Sequence, residues 1–354
     1  MNAFRGVRRL GVALTATLAV ALPVLPAQAA TSDAGLYGAA DPTYDGVYRQ
    51  SLAIMGLAGN YLSPPASAIT WLLDQQCADG SFEAYRADTS QPCGKPDPAN
   101  YSGPDTNSTS LAFQALMSLT DSAVKVNGKL RNRVVDAADR AGAWLGRQQN
   151  ADGGWPYYSG AASDANSTGL ALAGLNSWGG FYQSKAYAKA SRFLGTLSSS
   201  CSAGGGFAYQ SGSKPDGFAT SQGTLGLVGG LPGYRQPKAA AAAPCRNTAK
   251  AKGVSYLATG LGRDGLLDSV LGGPDYTSTA TAVIALAQAR QGRTAIAKGT
   301  SALKANAAAY ATPSTGPSPG ATGLLLIVAA NTGSKPTSFG GVNLVRTLAG
   351  SIRR

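Results

Sequence analysis

The sequence contains no histidine, and Glu83 is its only glutamate. Without an imidazole, the chain cannot form a histidine-based catalytic triad, a histidine-ligated metal site or an imidazole general base. We therefore predict no metal site. Beyond residue 25, no stretch approaches the roughly 18 consecutive apolar residues that a membrane-spanning helix needs, so we also predict no transmembrane segment.

The first residues have the pattern of a secretory leader. Three arginines precede an apolar run at residues 10–25, and the small-residue pattern Ala-Gln-Ala follows at 27–29. This order is typical of a signal peptide that is removed on export. We predict a signal peptide at residues 1–29 and a single domain at residues 30–354, secreted to the outside of the cell.

Four cysteines in an exported chain predict two disulfides, since oxidising compartments favour their formation. They are Cys77, Cys93, Cys201 and Cys245. Three pairings are formally possible. We favour Cys77–Cys93 with Cys201–Cys245, because each local pair would brace one long loop.

The formal net charge is +12. A basic balance can favour an anionic cell-wall polymer as a partner. The lysines and arginines are scattered without a dense run, however, and the chain carries a leader for export. We therefore expect no nucleic acid partner.

Two sequence phrases recur along the chain. The first reads WLLDQQCADGSF at residues 71–82 and WLGRQQNADGGW at residues 144–155. The second has an aspartate or its equivalent, then hydroxyl residues and an apolar run rich in small residues. Its six copies lie at residues 44–57, 104–116, 163–175, 215–227, 274–286 and 317–329.

Each copy of the second phrase predicts a buried inner helix. Aspartate and hydroxyl side chains at a helix start accept hydrogen bonds from the free backbone donors, and an acid suits the helix dipole there. A helix that is apolar on all sides must be buried on all sides. Its small residues would either widen a central cavity or let the helices close more tightly.

One-sided helices alternate with these inner helices. At residues 129–150, Leu130, Val134 and Leu145 recur on one face while most charged residues lie off it. Similar helices are predicted near residues 64–77, 184–199, 246–261, 294–308 and 338–351. Six inner and six outer helices predict an all-α fold of six αα-hairpins, an (α/α)6 toroid. The doubled first phrase would be the hinge that leads from an outer helix to the next inner helix.

The hinge resembles the signature of the prenyltransferase and squalene oxidase repeat family, which joins a glutamine in the outer helix to Gly-x-Trp. The matching residues are Gln148, Gly153 and Trp155 in one copy and Gln75, Gly80 and Phe82 in the other. The resemblance implies a terpenoid cyclase-like toroid. It does not by itself imply an activity, since one fold serves many functions.

Several motifs of that superfamily are missing from the sequence. It has no Asp-x-Asp-Asp, no Asp-Asp-x-x-Asp, no set of Asp, Cys and His zinc ligands, and no Gly-Cys-Gly-Glu-Gln thioester string. What remains is most similar to a ligand-binding toroid such as the α-domain of cobalamin carriers. That similarity implies a corrinoid as one ligand to consider, and no other cofactor.

The starts of the inner helices should surround one mouth of the ring. The predicted ligand-binding residues there are Asp45, Asp105, Asp164, Asp216, Asp275, Phe82, Trp155, Tyr157 and Phe207. Spaced carboxylates and aromatic faces suit a sugar, a cationic group or a large planar cofactor. The alternative interpretation is that the aspartates only cap helices and the aromatic residues only pack.

The leading hypothesis is a non-catalytic protein that binds a corrinoid, an isoprenoid or a glycan in its central cavity. A second hypothesis is an extracellular enzyme acting on a polysaccharide or isoprenoid. Its candidate acids are Glu83 and Asp105, since a pair of carboxylates can hydrolyse glycosidic bonds. A third is a module that binds the cell wall or surface through a basic exterior, which salt would weaken.

Overall fold

The computed structural model describes residues 33–178, 181–231 and 234–354. The predicted signal peptide at residues 1–29 lies outside the described residues. The described residues contain thirteen α-helices and two short strand pairs, so the helical class is confirmed. None of these described helices is long and apolar enough to cross a membrane.

Six helices are buried on nearly all sides, at the six copies of the second phrase. They are α1 Gly46–Gly59, α3 Thr106–Ser118, α5 Ala165–Leu175, α7 Gly217–Val228, α9 Tyr276–Ala289 and α12 Pro319–Thr332. Each packs against the next in this order, and α12 packs against α1. The order of contacts therefore returns to its first helix.

The remaining helices alternate with these inner helices. They are α2 Ala66–Asp74, α4 Gly128–Arg147, α6 Lys185–Thr196, α8 Ala249–Arg263, α10 Arg293–Ala305, the short α11 Ala307–Ala311, and α13 Leu344–Ala349. In α4 the predicted apolar face is buried and the charged residues lie outside it. Periodic apolar spacing predicts that each of these helices has one face exposed to solvent.

Four inner helices begin at an aspartate whose carboxylate accepts a hydrogen bond from the backbone N–H three residues later. These caps are Asp105, Asp164, Asp216 and Asp275. Asp45 departs from this pattern. It makes no side-chain capping bond, and its carboxylate lies 3.2 Å from the guanidinium of Arg49 instead.

A threonine four residues after each of these caps holds the preceding hinge. The backbone N–H of the hinge residue donates to the threonine Oγ1 over 2.8–2.9 Å. The pairs are Phe82 with Thr109, Trp155 with Thr168, Phe207 with Thr220, and Leu267 with Thr279. In the first copy Tyr37 donates to Gln50, five residues after Asp45. This copy is offset by one residue, which explains why Asp45 misses the capping position.

Two of the hinges extend into antiparallel strand pairs of two residues each. Strand β1 Trp155–Pro156 pairs with β2 Ser163–Asp164, and β3 Leu267–Asp268 pairs with β4 Pro274–Asp275. Trp155 lies opposite Asp164 in the first pair. These short strands place each hinge directly beside the cap of the next inner helix.

The doubled phrase joins neighbouring outer helices. The second glutamine of each copy donates to a backbone carbonyl of the next outer helix, from Gln76 to Ala137 over 2.8 Å and from Gln149 to Ala186 over 2.9 Å. The hinge glycine Gly153 has φ +93°, and a Cβ there would lie 2.7 Å from a carbonyl oxygen of α6. The phrase is repeated because each copy makes the same junction.

The small residues of the inner helices serve close packing at two contacts. A Cβ on Gly226 would lie 2.4 Å from the carbonyl oxygen of Gly169 in α5. A Cβ on Gly56 would lie 2.6 Å from the carbonyl oxygen of Gly323 in α12. The sequence left open whether small residues widen a cavity or let the helices close tightly. These two glycines let the helices close tightly, because any larger side chain would meet backbone.

Both favoured disulfides are present. Cys77–Cys93 closes a loop with a sequence separation of 16 residues, and Cys201–Cys245 one with a separation of 44 residues. Each links the end of an outer helix to a long loop, as the local pairing predicts. In the chain-entropy account, closing a 15-residue loop is worth about 3 kcal/mol.

Candidate functional site

The inner helices α3, α5, α7 and α9 point in the same direction. The starts of α7 and α9 line one cavity, and the ends of all four line another. We call the first side the carboxylate end, after the aspartates Asp45, Asp105, Asp164, Asp216 and Asp275 at the helix starts. We call the second the amide end, after Gln114, Asn176 and Gln288 in its cavity.

The cavity at the carboxylate end has a volume of about 720 Å³. It contains exposed aromatic rings, carboxylates, a lysine and hydroxyl groups. Its lining residues are Tyr209, Ser213, Lys214, Pro215, Asp216, Phe218, Asp268, Ser269, Val270 and Asp275. Tyr209 is 42% exposed and Phe218 is 45% exposed, so both rings are open to a ligand.

Local structure explains why these residues meet. Asp216 caps α7, and Phe218 is the second residue of that helix. Asp268 and Asp275 lie on β3 and β4, whose pairing forms a hairpin leading into α9. The hairpin tip exposes Leu271 almost completely, at 94%. The cavity thus lies between one helix start and the hairpin that begins the next.

The charge of Asp275 acts on Asp216, the other cavity aspartate at a helix start. Burial raises the pKa of Asp216, the backbone N–H groups of Ala219 and Phe218 oppose the rise, and the charge of Asp275 adds to it. Asp216 accepts the Ala219 N–H over 2.7 Å. A carboxylate held by a helix start can still accept a bond from a ligand through its second oxygen.

Asp105 differs from the cavity aspartates because it is almost fully buried, at 1% exposure. Burial raises its pKa to about 7, although hydrogen bonds from Ser108 oppose the rise and the charge of Glu83 adds a small increase. The rings of Tyr157 and Tyr158 lie nearby, perpendicular to each other with centroids 4.6 Å apart. Asp105 is therefore a carboxyl group that titrates near neutral pH.

Glu83 lies in the loop closed by the first disulfide. Its Oε1 accepts the backbone N–H of Gly94 over 2.8 Å. Cys77, Glu83 and Cys93 lie close enough together to suggest a metal site. Both sulfur atoms are used in the disulfide, however. The observed part that Glu83 plays is to hold the loop.

The other predicted ligand-binding residues are placed as follows. Phe82, Trp155 and Phe207 are fully buried, and the Trp155 indole N–H donates to the Leu145 carbonyl over 2.8 Å. Asp164 is also buried, and burial raises its pKa against the hydrogen bonds from Ser167. Asp45, like Tyr157, is partly exposed. Of the nine residues, only Asp216 and Asp275 line the described cavity.

Sequence reasoning missed Phe218, Lys214, Asp268 and Val270 as cavity residues. One signal was available for Phe218. It follows its cap by two residues, where two other copies have Asn107 and Asn166. Two residues along a helix turn the side chain by about 200°, so this position faces away from the threonine that holds the hinge.

No family model matches the chain, and neither does any curated protein. Among solved structures, a glycosidase is 15% identical with a TM-score of 0.48 and covers 88% of this chain and 93% of its own. The type II terpene cyclase MstE from Scytonema is 12% identical with a TM-score of 0.42, covering 74% and 72%. A protein from Actinoplanes is 14% identical with a TM-score of 0.41, covering 74% and 72%.

These similarities are distant. They concern the general helical architecture of the chain and carry no conclusion about its ligand or activity.

Proposed function

We propose that the chain is an exported (α/α)6 toroid that binds a neutral glycan at its carboxylate end without transforming it. Each inner helix contacts the next one along the chain, and the last, α12, contacts the first, α1, which supports a ring. The leader pattern and the two disulfides support export. The observation that carries the ligand assignment is the cavity where exposed Tyr209 and Phe218 lie beside Asp216 and Asp275.

The chemistry of this cavity matches a sugar. The face of an aromatic ring packs against the C–H face of a pyranose, and Tyr209 and Phe218 each present exposed ring surface. Hydroxyl groups of the sugar both donate and accept, and the lining offers carboxylate acceptors together with the ammonium of Lys214. A few oriented polar groups on an apolar wall are what fix a small ligand.

The other ligands that the sequence leaves open fit this lining less well. An isoprenoid presents a large apolar surface that would have to be buried, and so do the faces of a corrinoid macrocycle. The lining carries three carboxylates and one lysine, and desolvating such groups without pairing them is costly. The charged lining therefore favours a polyhydroxyl ligand.

The test is isothermal titration calorimetry of the exported chain with a panel of neutral oligosaccharides. At least one member should bind, and Tyr209→Ala and Phe218→Ala should each weaken it by about tenfold. Tyr44→Ala is a matched control, because Tyr44 is 73% exposed and does not line this cavity. Equal loss in the control, or no binding by any glycan, would contradict the proposal.

Asp105 favours a second candidate function, a glycan hydrolase. A carboxyl group that titrates near pH 7 is suited to donate a proton at neutral pH, and Glu83 is the nearby second acid. If this candidate holds, the chain releases sugar products and Asp105→Asn stops release while binding persists. If the unmodified chain binds a glycan and leaves it intact after prolonged incubation, the binding function stands alone.

A further inference from the structure

A second cavity, of about 490 Å³, lies at the amide end. It is formed by the last residues of α3, α5, α7 and α9 and by the segment that follows α7. Among the described residues that line it there is one carboxylate, that of Asp121, and no lysine or arginine. This composition contrasts with the net positive charge of the whole chain.

Three hydroxyl groups of this lining donate their hydrogens to the protein backbone. Ser118, Thr120 and Ser177 each donate to the backbone carbonyl three residues earlier, over 2.6, 2.7 and 2.5 Å. A hydroxyl group has one hydrogen and two lone pairs. Toward a ligand, these three side chains therefore act as acceptors.

Two amide groups of the lining also use both of their hydrogens within the protein. Asn176 donates from Nδ2 to the carbonyls of Gly226 and Gly229. Gln288 donates from Nε2 to Gly230 and to Asn331. The Oδ1 atom of Asn176 is buried and has no partner among the described residues. Because their hydrogens are used, Asn176 and Gln288 offer no amide hydrogen to a ligand.

Charge and aromatic surface point to a cation. The hydroxyl of Tyr234 donates to Asp121 and, with the backbone N–H of Ala123, holds the pKa of that carboxyl below its usual range. Helix C-termini carry partial negative charge, and four of them end at this cavity. Tyr182, which is 43% exposed, adds a ring face that can attract a cation.

We propose that the cavity at the amide end binds an organic ammonium ion. The positive group sits between the Asp121 carboxylate and the Tyr182 ring, and the C–H groups polarised by its nitrogen meet the hydroxyl acceptors of the wall. This site is separate from the glycan site at the carboxylate end. The proposal therefore does not depend on the proposed function.

The experiment compares choline with its uncharged isostere 3,3-dimethylbutan-1-ol on the full exported chain, by calorimetry at low salt. Choline should bind at least about tenfold more tightly than the isostere. Asp121→Asn should weaken choline by about tenfold, since the amide oxygen can still accept from Tyr234 while the charge and the second acceptor oxygen are lost. Tyr182→Leu should weaken choline severalfold, whereas Tyr182→Phe, which keeps the ring, should not.

Asp136→Asn is the matched control, because Asp136 is exposed on α4 and does not line the cavity. Equal affinity for choline and the isostere would overturn the proposal. So would an unchanged choline affinity in both Asp121→Asn and Tyr182→Leu, an equal loss in Asp136→Asn, or the absence of any choline binding. Loss of choline binding in Tyr209→Ala would place the cation at the other end and would also overturn it.

Discussion

The two ends of the inner helices leave different backbone groups without partners inside the helix, and side chains of the opposite hydrogen-bonding type bond to them. At the carboxylate end, helix starts expose N–H donors, and aspartates such as Asp164 accept from them. At the amide end, helix ends expose carbonyls, and hydroxyl and amide donors such as Ser177 and Asn176 bond to them. The donors and acceptors that each end can offer a ligand are therefore those that do not already bond to its own backbone.

The comparison shows that the binding chemistry of a cavity depends on which hydrogens and lone pairs of its lining are unbonded, and not on its residue types. Serines line both cavities. At the amide end the Ser118 hydroxyl donates its hydrogen to the Ala115 carbonyl. At the carboxylate end the Ser269 hydroxyl accepts from the Leu271 N–H and keeps its own hydrogen. The same residue type therefore offers an acceptor at one end and a donor at the other.

The largest expected effect concerns the packing beneath each end. Trp155 is fully buried under the carboxylate end with its indole N–H bonded, whereas Trp178, near the amide end, is partly exposed and packs edge-on against Phe113. Trp155→Ala should lower the free energy of unfolding by about 3–5 kcal/mol, and Trp178→Ala by clearly less. Urea denaturation of both variants measures the difference, and equal losses would remove this distinction.

The second prediction uses the opposite pKa shifts of Asp105 and Asp121. Because the pKa of buried Asp105 is raised to about 7, the folded state keeps a proton that the unfolded state has lost. Stability of the unmodified chain relative to Asp105→Asn should therefore fall as the pH rises from about 4 to about 7. The slope is on the order of 1.4 kcal/mol per pH unit.

Asp121 should behave in the opposite sense. Its pKa is lowered in the folded state, so its contribution is present above the unfolded pKa and is lost as the pH falls through the folded value. Relative to Asp121→Asn, the unmodified chain should lose stability only in acid, and by little, since Asp121 is partly exposed. Denaturation curves across pH test both signs; slopes of the same sign would contradict this account.

The third prediction tests the close contact between the neighbouring inner helices α5 and α7. Gly226→Ala would push a Cβ toward the backbone of α5 and should cost about 1–3 kcal/mol. Gly146→Ala is the matched control on α4, where a Cβ would meet nothing within 4 Å. That control should stabilise the chain by about 0.5–1 kcal/mol. A Gly226→Ala variant as stable as Gly146→Ala would contradict this close contact.

The smallest expected effect is a reciprocal loss of binding. Tyr209→Ala should weaken the glycan by about 1.4 kcal/mol and leave choline unchanged, whereas Tyr182→Leu should weaken choline and leave the glycan unchanged. Titration of each ligand into each variant gives the four affinities. If either variant lowers both affinities, the two ends do not act as separate sites.

Much of the helical order was predictable from the repeats, and much of the site was not. Apolar periodicity predicted the six inner and six outer helices, and Asp105 and Asp164 could be recognised as caps from the hydroxyl residues after them. The fully buried place of Phe82 and Trp155 could not be read from the same repeats, because an aromatic residue after a hinge can face a ligand or the core. The one-residue offset at Asp45 did have a local signal, since the residues 50–53 (QSLA) match 109–112 (TSLA) with one more residue after the aspartate.

The sequence by itself determined the alternation of buried and one-sided helices and the caps, because each depends on residues that are near one another in the chain. Only the tertiary structure decided which side chains remain free to meet a ligand. Tyr209 and Phe218 gain Asp275 as a neighbour across the hairpin, and Asn176 keeps an unpaired oxygen because its amide hydrogens bond to backbone at the end of α7. Burial and the use of each hydrogen depend on partners far away in sequence, so they exist only once the helices have packed.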